Sequence, residues 1–160
     1  ERLSKYEGGL GLDGLTELSD AAAESLRKNG GWLTLDGLTS LSDVAAESLS
    51  KHEGDLYLGG LTSLSDAAAE SLSRHKGDLY LDGLASLSDA AAESLSKHKG
   101  DELHLQGVKW LSDAAVDTLR ERDRERENQG KPTLQELGLD FANALPDFHS
   151  MRDVVTYFED

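Results

Sequence analysis

The chain has 160 residues, 31 acidic and 16 basic, with a formal charge of −15 and no cysteine. An acidic surface repels phosphate backbones and anionic lipid, so neither nucleic acid nor membrane is expected as a partner. Without cysteine there are no disulfides, thiolate metal sites or cysteine nucleophiles; with no signal-peptide pattern and no apolar run near ~20 residues, a cytoplasmic location is favoured.

The opening Leu3-Ser-Lys5-Tyr-Glu-Gly8 matches the later Leu49-Ser-Lys51-His-Glu-Gly54. The chain is therefore expected to begin inside a repeat of a longer array. The alternation Leu10-Gly-Leu12 follows, the period-2 signal of a half-buried strand. It returns every 23 residues as Leu33-Thr-Leu35, Leu56-Tyr-Leu58 and Leu79-Tyr-Leu81. A fifth copy, Leu103-His-Leu105, comes one residue late, a delay assigned to an inserted Glu102. After each strand a glycine, such as Gly60, is read as a sharp turn, and leucines such as Leu61 and Leu64 are placed in the core. Ser65-Asp66 then supplies a helix cap and a carboxylate at the positive end of the dipole.

Ala67 to Arg74 is predicted to be helical, with Ala68 or Ala69 and Leu72 forming the stripe that faces the strands. His75-Lys76 is placed at the negative end of the helix dipole, an account extended to His52 and His98. Gly77 is assigned the left-handed closing position, with Gly30, Gly54 and Gly100 in the same role.

The fifth helix is expected to run on through Arg120 to Glu127, with Glu121 pairing Arg124 and Asp123 pairing Arg126. Gly130-Lys-Pro132 breaks it. Thr133-Leu-Gln-Glu136 reads as a capping box opening a helix with Leu134, Leu137, Phe141 and Leu145, ended by Pro146. Ser150 to Asp153 starts another, carrying Val154, Val155, Tyr157 and Phe158. A stack of repeats exposes an apolar cross-section at its end. Residues 1–127 are therefore read as the array and 128–160 as a helical cap, with docking or dimerisation as the other use of that segment.

The L-x-L strand core, the leucines after it and the fixed period resemble the leucine-rich repeat family, in a short, bacterial-looking form, over residues 1 to about 119. The family often carries a turn asparagine where this chain has Leu15, Leu38, Leu61, Leu84 and Val108, so no asparagine ladder is expected. The resemblance implies an α/β fold: a curved, right-handed solenoid with an inner parallel sheet, outer helices and a C-terminal helical cap. It also implies protein binding on the concave strand face.

Alternation assigns three columns of side chains to that face: Gly9, Trp32, Asp55, Asp78, Glu102; then Gly11, Thr34, Tyr57, Tyr80, His104; then Asp13, Asp36, Gly59, Asp82, Gln106. Trp32, Tyr57, Tyr80 and His104 are the candidate contacts, and Asp36, Asp55, Asp78 and Asp82 the acidic selectors. Rings beside carboxylates suit a protein or peptide rich in basic residues. The plainer reading is that Tyr and Trp are good strand residues whose neighbours support one another. Stacked carboxylates raise calcium, but the dense Gly/Asp calcium-repeat signature is missing, and no cofactor or metal is expected. Ser, Asp and His occupy fixed stations with capping roles, so no catalytic residues and no enzyme activity are expected. The alternative function is a structural spacer, or a module that associates end to end.

Overall fold

The computed structural model describes residues 8–142. Short strands alternate with helices in the order β1 (Leu10–Gly11), α1 (Asp20–Leu26), β2 (Leu33–Thr34), α2 (Asp43–Leu49), β3 (Leu56–Tyr57), α3 (Asp66–Leu72), β4 (Leu79–Tyr80), α4 (Asp89–Ser96), β5 (Leu103–His104) and α5 (Asp113–Asn128). The strands form one parallel five-stranded sheet in chain order. Leu10 lies opposite Leu33, Leu33 opposite Leu56, Leu56 opposite Leu79, and Leu79 opposite Leu103. The amides of Leu33 and Leu35 donate to the carbonyls of Asp55 and Tyr57 at 2.9 Å, and the same step repeats up the sheet. This is the α/β arrangement of a repeat solenoid.

Alternation puts the leucines on one face. Leu33, Leu35, Leu56, Leu58, Leu79 and Leu81 are fully buried, as are Leu38, Leu61 and Leu84 after the turn. Leu64 only packs partly against the core. Paired alanines (Ala45–Ala46, Ala68–Ala69, Ala91–Ala92) and Leu49, Leu72 and Leu95 complete the interior from the helix side. Small side chains there let consecutive helices pack closely against one another.

Each helix is capped by a serine, which from α2 onward also joins it to the preceding helix. The hydroxyls of Ser42, Ser65 and Ser88 accept the amides of Ala45, Ala68 and Ala91 at 3.0 Å. The same hydroxyls donate to Asp20, Asp43 and Asp66 of the preceding helix at 2.5 Å, and Ser112 donates to Asp89 in the same way. The cap motif is thus also a stitch between repeats.

The glycines do a different job from the one expected. Among the described residues only Gly130 and Gly138 have positive φ, so Gly77, Gly54, Gly100 and Gly30 are not left-handed helix closures; Gly60 does lie in a turn, as expected, without a positive φ. A Cβ at Gly54 would lie 2.2 Å from the Gly31 carbonyl oxygen, at Gly77 2.5 Å from that of Gly54, and at Gly100 2.2 Å from that of Gly77. Close approach of stacked backbones is what requires glycine. Gly31, not Gly30, belongs to this column; a Cβ at Gly30 meets nothing within 4 Å. A second column, Gly37, Gly60, Gly83 and Gly107, is constrained in the same way. The extra residue of the fifth repeat is also displaced from its expected position. Gly100 still stacks on Gly77 and Glu102 takes the station of Asp78, so exposed Asp101 absorbs the insertion.

The histidines are not surface cations on the helix dipole. His52, His75 and His98 are buried, and their rings stack in a row with centroids 6.2 and 6.3 Å apart. No ring nitrogen reaches a hydrogen-bond partner of normal geometry. Burial lowers all three pKa values, to about 4 for His98, where His75, Arg122 and Arg126 add their repulsion.

At the C-terminal side, Glu121 pairs with Arg124 at 2.7 Å as expected. Asp123 and Arg126 do not pair with each other; both are buried and turn to backbone. Asp123 accepts the amides of Leu134 at 2.7 Å and Gln135 at 3.3 Å. Arg126 donates to the carbonyls of Gly100 at 3.0 Å, Pro132 at 3.3 Å and Asp101. The capping box closes reciprocally between Thr133 and Glu136, at 3.0 and 3.1 Å. It opens a turn rather than the expected helix: Gly138, at φ 99°, redirects the chain so that Leu139 and Phe141 join Leu134 in the core. The segments expected beyond Ala142, and the opening residues before Gly8, lie outside the described residues.

Candidate functional site

The face of the sheet opposite the leucines carries the columns that alternation assigned. Parallel strands ~4.8 Å apart bring equivalent side chains to ring-stacking distance. Tyr57 and Tyr80 stack with centroids 4.1 Å apart and planes 9° from parallel; Tyr80 and His104 follow at 4.2 Å and 17°. His104 Nε2 lies 2.9 Å from Glu102 Oε2, and the Tyr80 hydroxyl donates to the same oxygen at 3.4 Å. Burial, then the neighbouring Tyr57 hydroxyl and the charges of Glu102 and Asp78, push the Tyr80 phenol well above its usual range, so it stays a donor at neutral pH.

Three of the four aromatic candidates are thus brought together. Trp32 is not: it is 47% exposed and its indole lies over Gly9, where a Cβ would come within 1.7 Å of the ring. The stack also changes which aromatic surface is on offer. Both faces of Tyr80 are covered by its neighbours, whereas Tyr57 is stacked on one side only.

The acidic candidates flank the rings and also tie the repeats together. Asp55 accepts the Asp78 amide at 3.1 Å, Asp78 that of Glu102 at 2.8 Å, Asp36 that of Gly59 at 2.6 Å, and Asp82 that of Gln106 at 3.2 Å. One oxygen of each is committed to the next repeat, so these aspartates form the inter-repeat ladder that the absent asparagines were not expected to provide. Burial raises the Asp78 pKa, with repulsion from Asp55, Glu102 and Asp101 acting in the same direction and the Glu102 amide against it.

Glu102 is the residue of this candidate site that sequence reasoning passed over. It was placed in the Asp55–Asp78 column but treated as an insertion, and the structure puts it at the junction of Tyr80 and His104. Its column membership was the available signal. Among the described residues, no group of three or more His, Asp or Glu converges as metal ligands would. Nor is any of their helices long and apolar enough to cross a membrane. Comparison with known protein families, with characterised proteins and with solved structures finds no match for this chain.

Proposed function

We propose that this chain is a non-enzymatic scaffold, akin to the leucine-rich repeat proteins, that binds a protein or peptide bearing basic residues. On this reading the solenoid is curved and right-handed, as parallel strand–helix–strand crossovers nearly always are. The open sheet face is then its concave side, and the segment from Lys131 covers the last repeat as a cap. The observation that carries the reading is the Tyr57–Tyr80–His104 stack set between carboxylate columns. Pre-stacked rings present rigid contact area at low entropic cost, and the acidic margins select for positive charge.

The test is affinity capture by the intact chain, compared with a Tyr57→Ala/Tyr80→Ala variant. Both side chains face away from the leucine core, so circular dichroism should show the fold retained. Loss of two central aromatic contacts should weaken partner binding at least about tenfold. Equal affinity of the two proteins for the captured partner would remove the proposal.

A further inference from the structure

The central column reads Gly11, Thr34, Tyr57, Tyr80, His104 across the five strands. Rings fill its last three places and small residues its first two. The stack therefore ends at Tyr57, with one face directed over Thr34. From the strand carrying Gly11 to the strand carrying Tyr57 is two strand spacings, about 9.6 Å. Trp32 stands two residues before Thr34 on the same face of β2, and its ring comes 3.8 Å from the Cβ position of Gly11. The result is a slot over Thr34, with the Tyr57 ring on one side and the Trp32 indole, lying over Gly9 and the edge of Gly11, on the other.

The charge beside the slot is negative. Asp36 stands two residues after Thr34 on the same strand face, with one carboxylate oxygen on the Gly59 amide and the other left over. Asp13 is exposed in the turn after β1 and makes no hydrogen bond or ion pair among the described residues.

We infer that this slot takes an arginine side chain of a partner protein, the guanidinium lying flat on Tyr57 as a fourth layer of the stack. The inference rests on the proposed use of this face for binding and names the residue that the face selects. Slot shape and charge both favour arginine over lysine. A guanidinium is planar, weakly hydrated and stacks on aromatic faces, and its fork of donors suits a carboxylate oxygen such as the one Asp36 leaves over. A lysine ammonium is a compact, strongly hydrated point charge that gains little from a flat wall.

The experiment is an NMR titration of the intact chain with a Gly-Arg-Gly-Arg-Gly peptide and with its lysine counterpart, at about 150 mM salt to screen diffuse attraction. The arginine peptide should shift the Thr34 amide and the Tyr57 ring resonances, and should bind roughly fivefold more tightly than the lysine peptide. Thr34→Tyr would fill the slot with a further ring and should abolish that preference. Asp36→Asn, which keeps an acceptor for the Gly59 amide, should reduce arginine binding about threefold and serves if the tyrosine variant does not fold. Equal affinity of the two peptides, with shifts spread over the sheet face, would overturn the arginine slot and leave the binding face standing. Shifts confined to other surfaces would overturn both.

Discussion

At Gly54 one methyl group decides whether two repeats can stack. The Cβ would sit 2.2 Å from the Gly31 carbonyl oxygen, and that oxygen belongs to backbone that cannot move aside alone. Gly54→Ala should therefore cost about 2–4 kcal/mol in urea unfolding. Gly30→Ala is the matched control: with open space around the new methyl and no positive φ, it should change stability by less than about 1 kcal/mol, in the stabilising direction. Equal losses at the two sites would mean that helix closure, not backbone approach, requires the glycines. The recurrence of these glycines was legible in the sequence, but its cause was not. A period shows that a position is constrained; it does not show that another repeat's carbonyl lies opposite. The same limit explains why Gly30 was grouped with Gly54: both follow a helix, and only the stacked backbone separates Gly30 from Gly31.

Between elements, the polar rows join what the leucines bury. Ser and Asp caps, the aspartates of the open face and the imidazoles each step from one repeat to the next. His52, His75 and His98 are buried and stacked on one another. Asp55 and Glu53 favour protonation of His52, Asp55 favours that of His75, and Arg122 and Arg126 oppose that of His98. Below the ordinary imidazole pKa of 6.5, the unfolded chain takes up protons that the folded row refuses, so stability falls with pH from there to about 4. For His98 alone the full difference is roughly 3 kcal/mol. Asp78, whose pKa is raised, acts with the opposite sign at the acidic end of that range. Asn29 occupies the same station one repeat earlier, buried, with its amide donating to the Gly8 carbonyl at 3.4 Å. His75→Asn should therefore be accommodated, and should flatten the drop in urea midpoint between about pH 7 and pH 5. An unchanged slope in the variant would show that His75 is not held neutral. The histidine period was plain in the sequence, but period alone does not tell an exposed row from a buried one. The discriminating fact, that the chain turns these rings under the next repeat, is tertiary.

At the scale of the molecule, each repeat among the described residues contacts only its neighbours, so stability is a chain of nearest-neighbour terms and its ends are the places where it opens. The solenoid was legible for that reason: Leu33-Thr-Leu35 and its copies repeat one local solution, and local patterning is what sequence displays most directly. The end of the array was not, because it is built once. Thr133 to Glu136 carried a true capping box, yet among the described residues no helix follows it, since Gly138 and the burial of Leu139 override the amphipathic spacing. The Asp123–Arg126 spacing suggested a surface ion pair, whereas both side chains are buried and bond backbone groups instead. Arg126 reaches the carbonyls of Gly100 and Asp101, the backbone just past the last link of the glycine column, and also that of Pro132 in the closing segment. Arg126→Leu keeps an apolar stem but removes every one of those donors. Buried carbonyls left without a partner cost about 1–3 kcal/mol each, and the loss falls on the last repeat alone. Amide hydrogen exchange should then accelerate first in β5 and α5, by roughly tenfold or more, with protection in β2 and β3 nearly unchanged. Uniform acceleration from β2 to β5 would instead mean that the array unfolds as one unit, and that Arg126 stabilises the whole stack rather than its final layer.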